Sequence, residues 1–305
     1  MARIFIFGAG VVGLATGRGF RHMGHRVTFV DIAAERVRAQ RAEGLDARAE
    51  LDLRGEPESF IFLTLPTPHA GRRYDLTAFE RGVRDVGRAL GEADAVHTVV
   101  VRSTVPPGTT EELVRPLLEK ASGRTEGLGF CLASNPEFLR AASAAEDFRW
   151  PWMTVVGARS ARVRERLGGI LTPFGGELRF FDQPATAEMI KCAHNLYNAA
   201  KISFWNEMWR VCRETGVPHD DVASTVARSA EGSFNINYGI RGGAPYGGAC
   251  LPKDTNGFLG YAAELGVAMP LLSAVVQVND EVADLVAREF TDWENRAPAT
   301  APEAG

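Results

Sequence analysis

Cysteine is scarce in this 305-residue chain. The four that occur, Cys131, Cys192, Cys212 and Cys250, are irregularly spaced. That pattern speaks against a disulfide framework and fits reduced thiols in a cytoplasmic protein. No two of them have the short spacing of a metal site, so no metal is expected. Positive charge is not in excess: the net charge is -4 and the pI about 5.9, which removes the electrostatic ground for nucleic-acid binding. No apolar run is long enough to span a bilayer, and no basic and apolar leader precedes the first strand-like run, so neither a membrane nor an export signal is expected. Internal repeats are missing. Low complexity is confined to the Ala- and Pro-rich end, Arg296 to Gly305, which has the composition of a disordered tail. What remains is ordinary globular material, 45% hydrophobic and 24% charged, and long enough for two domains.

The first half alternates short apolar runs with amphipathic stretches, the pattern of a parallel sheet with crossover helices. Strands are predicted at Arg3–Phe7, Arg26–Val30, Phe60–Leu65, His97–Val101, Gly129–Ala133 and Met153–Val156. Their apolar character marks them as buried on both faces. Helices are predicted between them, including Val11–Met23, Ala34–Glu43, Leu76–Leu90 and Thr109–Ala121. From about Pro184 the pattern changes. Ala185–Thr215 contains neither Gly nor Pro and is predicted as one long helix, apolar on several faces (Leu196, Tyr197, Ile202, Phe204, Trp205 and Trp209 among them). Such a helix is buried in its own subunit or shared with a partner. Further helices are expected at Asp220–Ser229, Thr255–Leu265 and Pro270–Phe290. The expected organisation is an α/β domain over 1–183, a mostly helical domain built on the long central helix over 184–292, and the tail 293–305.

Gly8-Ala9-Gly10-Val11-Val12-Gly13 matches G-x-G-x-x-G, and it follows a predicted strand and opens a helix, which is the context that motif needs. Gly8 permits the tight turn, Gly10 the close approach of a pyrophosphate, and Gly13 the close packing of helix on strand. The helix N-terminus, at Val11 and Val12, then faces the phosphates. Asp31 ends the second strand, where a carboxylate accepts hydrogen bonds from ribose hydroxyls and repels a 2′-phosphate. NAD is therefore expected rather than NADP. Arg36 opposes that preference, but it sits a turn into the next helix. The expected fold is a Rossmann-type doubly wound parallel sheet followed by the helical domain.

Gly247-Gly248-Ala249-Cys250-Leu251-Pro252-Lys253-Asp254 sets one thiol on a glycine-rich turn beside a cation and a carboxylate. A neighbouring Lys favours the thiolate, which is the nucleophile. Gly247, Gly248 and Pro252 are expected to exclude regular structure there, and the Gly242-Gly243-Ala244-Pro245 stretch upstream suits a phosphate- or sugar-binding loop. The commoner fate of a single Cys is a small buried hydrophobe, and Cys131, Cys192 and Cys212 are taken as such. Lys191 and Asn195 are spaced i,i+4 and share a helix face. Together they can stabilise an oxyanion, or they can be a solvated helix edge with Lys191 paired to Glu188. Ser103-Thr104-Val105-Pro106-Pro107-Gly108-Thr109 follows a strand, where α/β folds hold ligands. There Thr104 can hold a water or a hydroxyl, while Thr109 and Glu112 can form a capping box for the next helix. Asn135-Pro136-Glu137-Phe138 also follows a strand, bringing Glu137 near the cofactor edge. The six histidines make no cluster.

In this order the motifs resemble those of the UDP-glucose/GDP-mannose dehydrogenase family, over nearly the whole chain to about Asp280. The resemblance rests on Gly8–Gly13, Leu65-Pro66-Thr67-Pro68, the Ser103–Thr109 segment, Asn135-Pro136-Glu137-Phe138-Leu139-Arg140, Glu188-Met189-Ile190-Lys191 and Gly247–Asp254. It implies oxidation of a sugar primary alcohol to a carboxylate with two NAD molecules, most closely in the manner of a UDP-glucose 6-dehydrogenase. On that likeness Cys250 captures the aldehyde as a thiohemiacetal, a second oxidation gives a thioester, and water hydrolyses it. Lys191 and Asn195 stabilise the oxyanions, and Thr104, Glu137 and Asp254 position water or relay protons. The resemblance adds Pro66, Thr67, Ser103 and Thr104 to the cofactor contacts. It adds Phe138, Leu139, Arg140, Tyr246, Gly247, Gly248 and Lys253 to the substrate contacts. A homodimer through the 185–215 helix is also implied.

Two departures qualify this. The family commonly carries a second Glu where this chain has Ala141, which weakens the proton relay. The family also usually has a third, nucleotide-gripping α/β domain, whereas this chain ends after the central helices. Either the chain is part of a longer one or the protein does without that domain. In the second case the same chemistry on a sugar phosphate, a nucleoside or nucleotide 5′-alcohol or a biosynthetic intermediate is the alternative. A non-catalytic NAD-binding subunit is a further one, opposed by the presence of Cys250 and Lys191.

Overall fold

A computed structural model gives the fold, and describes residues 1–70, 73–140, 143–229, 243–248 and 251–296. The chain divides into two compact units, Met1–Asn195 and Leu196–Gly305.

The first unit is built on one eight-stranded sheet: β1 (Arg3–Phe7), β2 (Arg26–Val30), β3 (Ala47–Arg48), β4 (Ser59–Leu63), β7 (His97–Val101), β8 (Phe130–Ser134), β9 (Met153–Gly157) and β10 (Glu177–Phe181). Its spatial order is β10-β9-β8-β7-β4-β1-β2-β3. A small antiparallel ribbon, β5 (His69–Ala70) and β6 (Arg73–Tyr74), stands apart from it. The pairings of the large sheet are parallel, except that β8 meets β9 only where Ser134 lies opposite Gly157, in antiparallel sense. The order turns back on either side of β1, so the chain winds outward in both directions, as in other doubly wound folds.

Alternation along β1 explains why two helical layers are needed. Ile4 and Ile6 enter one core cluster with Phe62, Phe29 and Phe148, and Phe5 and Phe7 enter the other with Ile61, Phe79 and Val83. Both faces of the strand are apolar and both are covered. The first face carries α1 (Val11–His22), α5 (Ala144–Arg149) and α6 (Ala161–Leu171); the second carries α3 (Thr77–Gly91) and α4 (Arg115–Ser122). On α3, Phe79, Val83, Val86 and Leu90 recur at helical spacing and are all buried. The remaining helix before residue 184, α2 (Ala34–Ala42), links β2 to β3. The strands and helices expected before residue 184 form within a few residues of their predicted limits, whereas α9 (Leu251–Glu264) starts four residues before the expected Thr255 and α10 (Pro270–Arg296) runs six past the expected Phe290. Before residue 184 the exception is Thr109–Ala121, which begins as a π-helical turn, Thr110–Val114, before α4.

Helix α7 runs from Pro184 to Thr215, and the division between the units falls within it. In the second unit Val211 of α7 packs with Ala262 of α9 (Leu251–Glu264) and with Val267 and Met269, which lead into α10 (Pro270–Arg296). The Glu207 carboxylate accepts the amides of Leu271 and Leu272, capping α10. The short α8 (His219–Val226) follows α7. The tail after 296 lies outside the described residues.

Candidate active site

In the first unit, the loops after β1, β2 and β4 converge on a cavity of about 390 Å³ lined by Gly8, Gly10, Val11, Val12, Asp31 and Pro66. Gly8 has φ +103°, which an L-residue rarely adopts, so the turn out of β1 depends on glycine. Its amide donates to the Val30 carbonyl at 2.8 Å, and its carbonyl accepts from Thr64 Oγ1 at 2.5 Å. A Cβ on Gly10 would meet nothing within 4 Å, leaving open space beside the N-terminus of α1, whereas one on Gly13 would overlap the Gly8 carbonyl oxygen. Asp31 is buried. Its Oδ2 accepts the Ala9 amide at 2.8 Å and its Oδ1 the Ala33 amide at 2.9 Å. Arg36 reaches back along the first turn of α2 to put Nη1 3.3 Å from Asp31 Oδ2, so a position expected to stay aside joins the site. Arg81 of α3 lines the same cavity. An open cradle at a helix N-terminus, with a fixed carboxylate at the end of β2, fits the pyrophosphate and ribose of a dinucleotide.

The next strand ends are tied to each other. Ser103 Oγ donates to the Leu65 carbonyl at 2.7 Å, and Thr67 Oγ1 to the Thr104 carbonyl at 2.6 Å. Of the residues expected at the cofactor, Pro66 lines the cavity, while Thr67 and Ser103 commit their hydroxyls to joining the loops after β4 and β7.

Beyond β8, Glu137 Oε1 lies 3.1 Å from Lys191 Nζ, with both side chains largely buried (13% and 5% exposed). Glu137 Oε2 accepts the Leu139 amide at 2.5 Å, and the Lys191 ammonium stands 5.5 Å from the Phe138 ring centroid. Phe138 also packs against Trp152 and His194. Lys191 is thus no solvated helix edge, and its partner is not Glu188. Asn195 Oδ1 lies 3.3 Å from His194 Nδ1. Arg140 is turned outward and ion-paired to Asp147 at 2.6 Å.

Two further charged residues are tied into these loops: Arg102, which no sequence motif singles out, and Glu188, expected only as a partner for Lys191. Arg102 is buried at the end of β7. It donates to Thr16 Oγ1 at 2.9 Å and to Asn135 Oδ1 at 2.7 Å, while Asn135 Nδ2 donates to the Val155 carbonyl. Burial lowers the Arg102 pKa to about 10, with the Glu137 charge working the other way. Its signal was a charged residue directly before Ser103 at the close of an apolar strand. The second is Glu188, 2% exposed. Its carboxylate accepts the Gly108 amide at 2.6 Å, the Thr110 amide at 2.8 Å and the Thr110 hydroxyl. Burial pushes its pKa up, against those three donors. The expected capping box does not form: Thr109 Oγ1 donates to Pro106 instead, and Glu188 takes the cap from α7.

In the second unit, Cys250 and Ala249 lie outside the described residues, as does Gly242. Pro252 does not exclude regular structure; with Lys253 and Asp254 it forms the first turn of α9, where proline loses no helical hydrogen bond. The Tyr246 amide donates to Asn279 Oδ1 at 2.7 Å, and Gly248, next to Gly247, has φ +79°. Among the described residues no cluster of three metal-ligating side chains occurs, and no helix is long and apolar enough to cross a membrane.

The doubly wound sheet, the glycine turn after β1 and Asp31 at the end of β2 define a dinucleotide-binding protein of the Rossmann type. Comparison with known proteins narrows this. Residues 37–175 match the model of the UDP-glucose/GDP-mannose dehydrogenase family NAD binding domain, and residues 185–281 that of the family's central domain. The chain belongs to the UDP-glucose/GDP-mannose dehydrogenase family of NAD-dependent oxidoreductases acting on CH–OH donors, and NAD is its cofactor. It is 33% identical to a UDP-glucose 6-dehydrogenase of Haloferax volcanii, covering 93% of this chain and 72% of that one. It is also 33% identical to the GDP-mannose 6-dehydrogenase of Pseudomonas aeruginosa, covering 91% and 68%. The crystal structure of a ternary complex of the Pseudomonas aeruginosa GDP-mannose dehydrogenase superposes with a TM-score of 0.84 at 29% identity, covering 93% of this chain and 69% of that one.

Proposed function

We propose that the protein oxidises the primary alcohol of a nucleotide sugar to a carboxylate through a covalent adduct on Cys250. NAD supplies the hydride acceptor for both oxidations. The alcohol loses a proton and a hydride to give an aldehyde, and the Cys250 thiolate adds to its carbonyl carbon. Loss of a second hydride from that adduct leaves a thioester. Water then attacks the thioester carbon and the thiolate leaves. In sum, one alcohol and one water yield one carboxylate, two hydrides and three protons.

The buried Lys191–Glu137 pair carries this proposal. An ammonium held in a water-poor setting stabilises an alkoxide or oxyanion far better than one in bulk water. The carboxylate beside it can take a proton from the attacking water. Thr104, at the end of the next strand, would orient that water or the substrate hydroxyl, and Asn195, one turn beyond Lys191, would add a second donor to the oxyanion. Asp254 would relay protons on the thiol side, Lys253 would favour the thiolate, and Tyr246, Gly247 and Gly248 would line the substrate's path. Asp31 would hold the cofactor ribose.

Relatives named for UDP-glucose and for GDP-mannose stand at the same 33% identity, so both sugars belong in the assay, UDP-glucose first. Two NADH formed per molecule consumed, an acid as product, and no turnover in Cys250→Ala are expected. An aldehyde as final product with one NADH, or full turnover in Cys250→Ala, would overturn the proposal.

A further inference from the structure

We propose that Glu188 is a positioning residue of the reaction: its carboxylate clips the loop that presents Thr104 onto the helix that presents Lys191. This rests on the reading that Lys191 and Thr104 take part in catalysis.

Glu188 precedes Lys191 by three residues, so both lie on one face of α7. Each oxygen of its carboxylate has work. Oε2 accepts the Gly108 amide at 2.6 Å, and Oε1 accepts both the Thr110 amide at 2.8 Å and the Thr110 hydroxyl. A second stitch lies one residue past the lysine, where Cys192 Sγ stands 3.5 Å from the Val105 carbonyl. The loop's other end is fixed as well, since the Thr104 carbonyl accepts from Thr67. Residues 104–110 are therefore tied to the loop after β4 at one end and to α7 at the other. Gly108, at φ +93°, makes the turn that brings its own amide and that of Thr110 to a single carboxylate. The local alternative is absent, because Thr109 spends its hydroxyl on Pro106. The segment then enters a π-helical turn, a geometry frequent at functional sites.

The chemistry requires a carboxylate. Two amides and a hydroxyl need an acceptor at both ends of the group, and a glutamine offers one oxygen and sets an NH₂ against the other donors. With the clip loosened, α7 can shift against the loop, and the ammonium moves with it. A displacement near 1 Å costs on the order of a hundredfold in rate.

The test uses Glu188→Gln, Glu188→Asp and Thr110→Val, with active protein quantified by NAD titration so that any unfolded fraction drops out. Glu188→Gln is expected to lower kcat about a hundredfold with unchanged NAD affinity, and Thr110→Val to lower it less. Combined with Lys191→Met, Glu188→Gln is expected to add little, because the ammonium whose placement it controls is already gone. Wild-type kcat in NAD-binding Glu188→Gln, or effects of Glu188→Gln and Lys191→Met that simply multiply, would overturn the proposal. Where Glu188→Gln does not bind NAD, an unchanged kcat in Thr110→Val overturns it. If Lys191→Met and Thr104→Ala themselves turn over normally, the catalytic reading fails and the clip fails with it. If those two are crippled and the Glu188 variants are not, only the clip fails.

Discussion

Lys191 owes its chemistry to its surroundings. Its ammonium is largely buried, 3.1 Å from the Glu137 carboxylate and 5.5 Å from the Phe138 ring centroid. On the proposed mechanism, Lys191→Met would remove a preformed positive charge from the developing oxyanion. A loss in kcat of roughly 10² to 10³ is expected, with NAD affinity intact, measured by steady-state kinetics beside a binding titration. A different residue sets the response of stability to acid. His97 is fully buried on β7 with Nδ1 2.6 Å from Ser59 Oγ, and burial lowers its pKa from 6.5 to about 4. A depressed pKa means the native state favours the neutral ring, so the unfolded chain binds the extra proton between those values. The contribution is complete above pH 6.5 and is lost as pH falls from 6.5 toward 4, amounting to about 3 kcal/mol. Urea unfolding at pH 7 and pH 5 should show the loss, and His97→Asn, which cannot titrate there, should flatten it.

At the scale of elements, the critical fit is α1 against the turn that ends β1. A Cβ on Gly13 would run into the Gly8 carbonyl and come within 2.8 Å of Thr64 Oγ1. Backbone cannot yield as a flexible side chain does, so Gly13→Ala should displace α1. A cost of about 1–3 kcal/mol is expected, with weakened NAD binding, read by thermal unfolding and by fluorescence titration. How an element is legible depends on what specifies it. The apolar runs of β1, β4 and β7 announced buried parallel strands, because a strand covered on both faces must be apolar throughout. The edge strand β10 was missed: its Glu177 and Arg179 are exposed and break the pattern. The β5–β6 ribbon has two-residue strands, too short for any period to register. In α9, Pro252 reads in sequence as a breaker, although a first helical turn accepts it.

For the whole molecule, a cofactor that binds only the folded chain should stabilise it. NAD at a hundred times its Kd is expected to add about 2.7 kcal/mol, seen as a raised Tm that NADP reproduces only weakly, given the Asp31 carboxylate lining the cleft. Leu196, Tyr197 and Ile202 of α7 are 70%, 69% and 63% exposed. Large apolar side chains in one stretch of helix call for a partner surface, and a homodimer through this helix is the proposed one. Light scattering should give twice the chain mass, and Ile202→Glu should halve it.

The sequence by itself determined the alternation of strand and helix, the glycine turn with Asp31 at the second strand's end, and the residue types delivered to the strand termini. Those features are local: period, composition and short spacing encode them. Only the tertiary structure decided the pairing, namely that Lys191 takes Glu137 rather than Glu188, that Glu188 caps a segment some eighty residues earlier in the chain, and that buried Arg102 donates to Asn135. Neighbours along a helix are not partners once burial supplies better ones, and which polar groups must satisfy one another is known only when packing has removed water from between them.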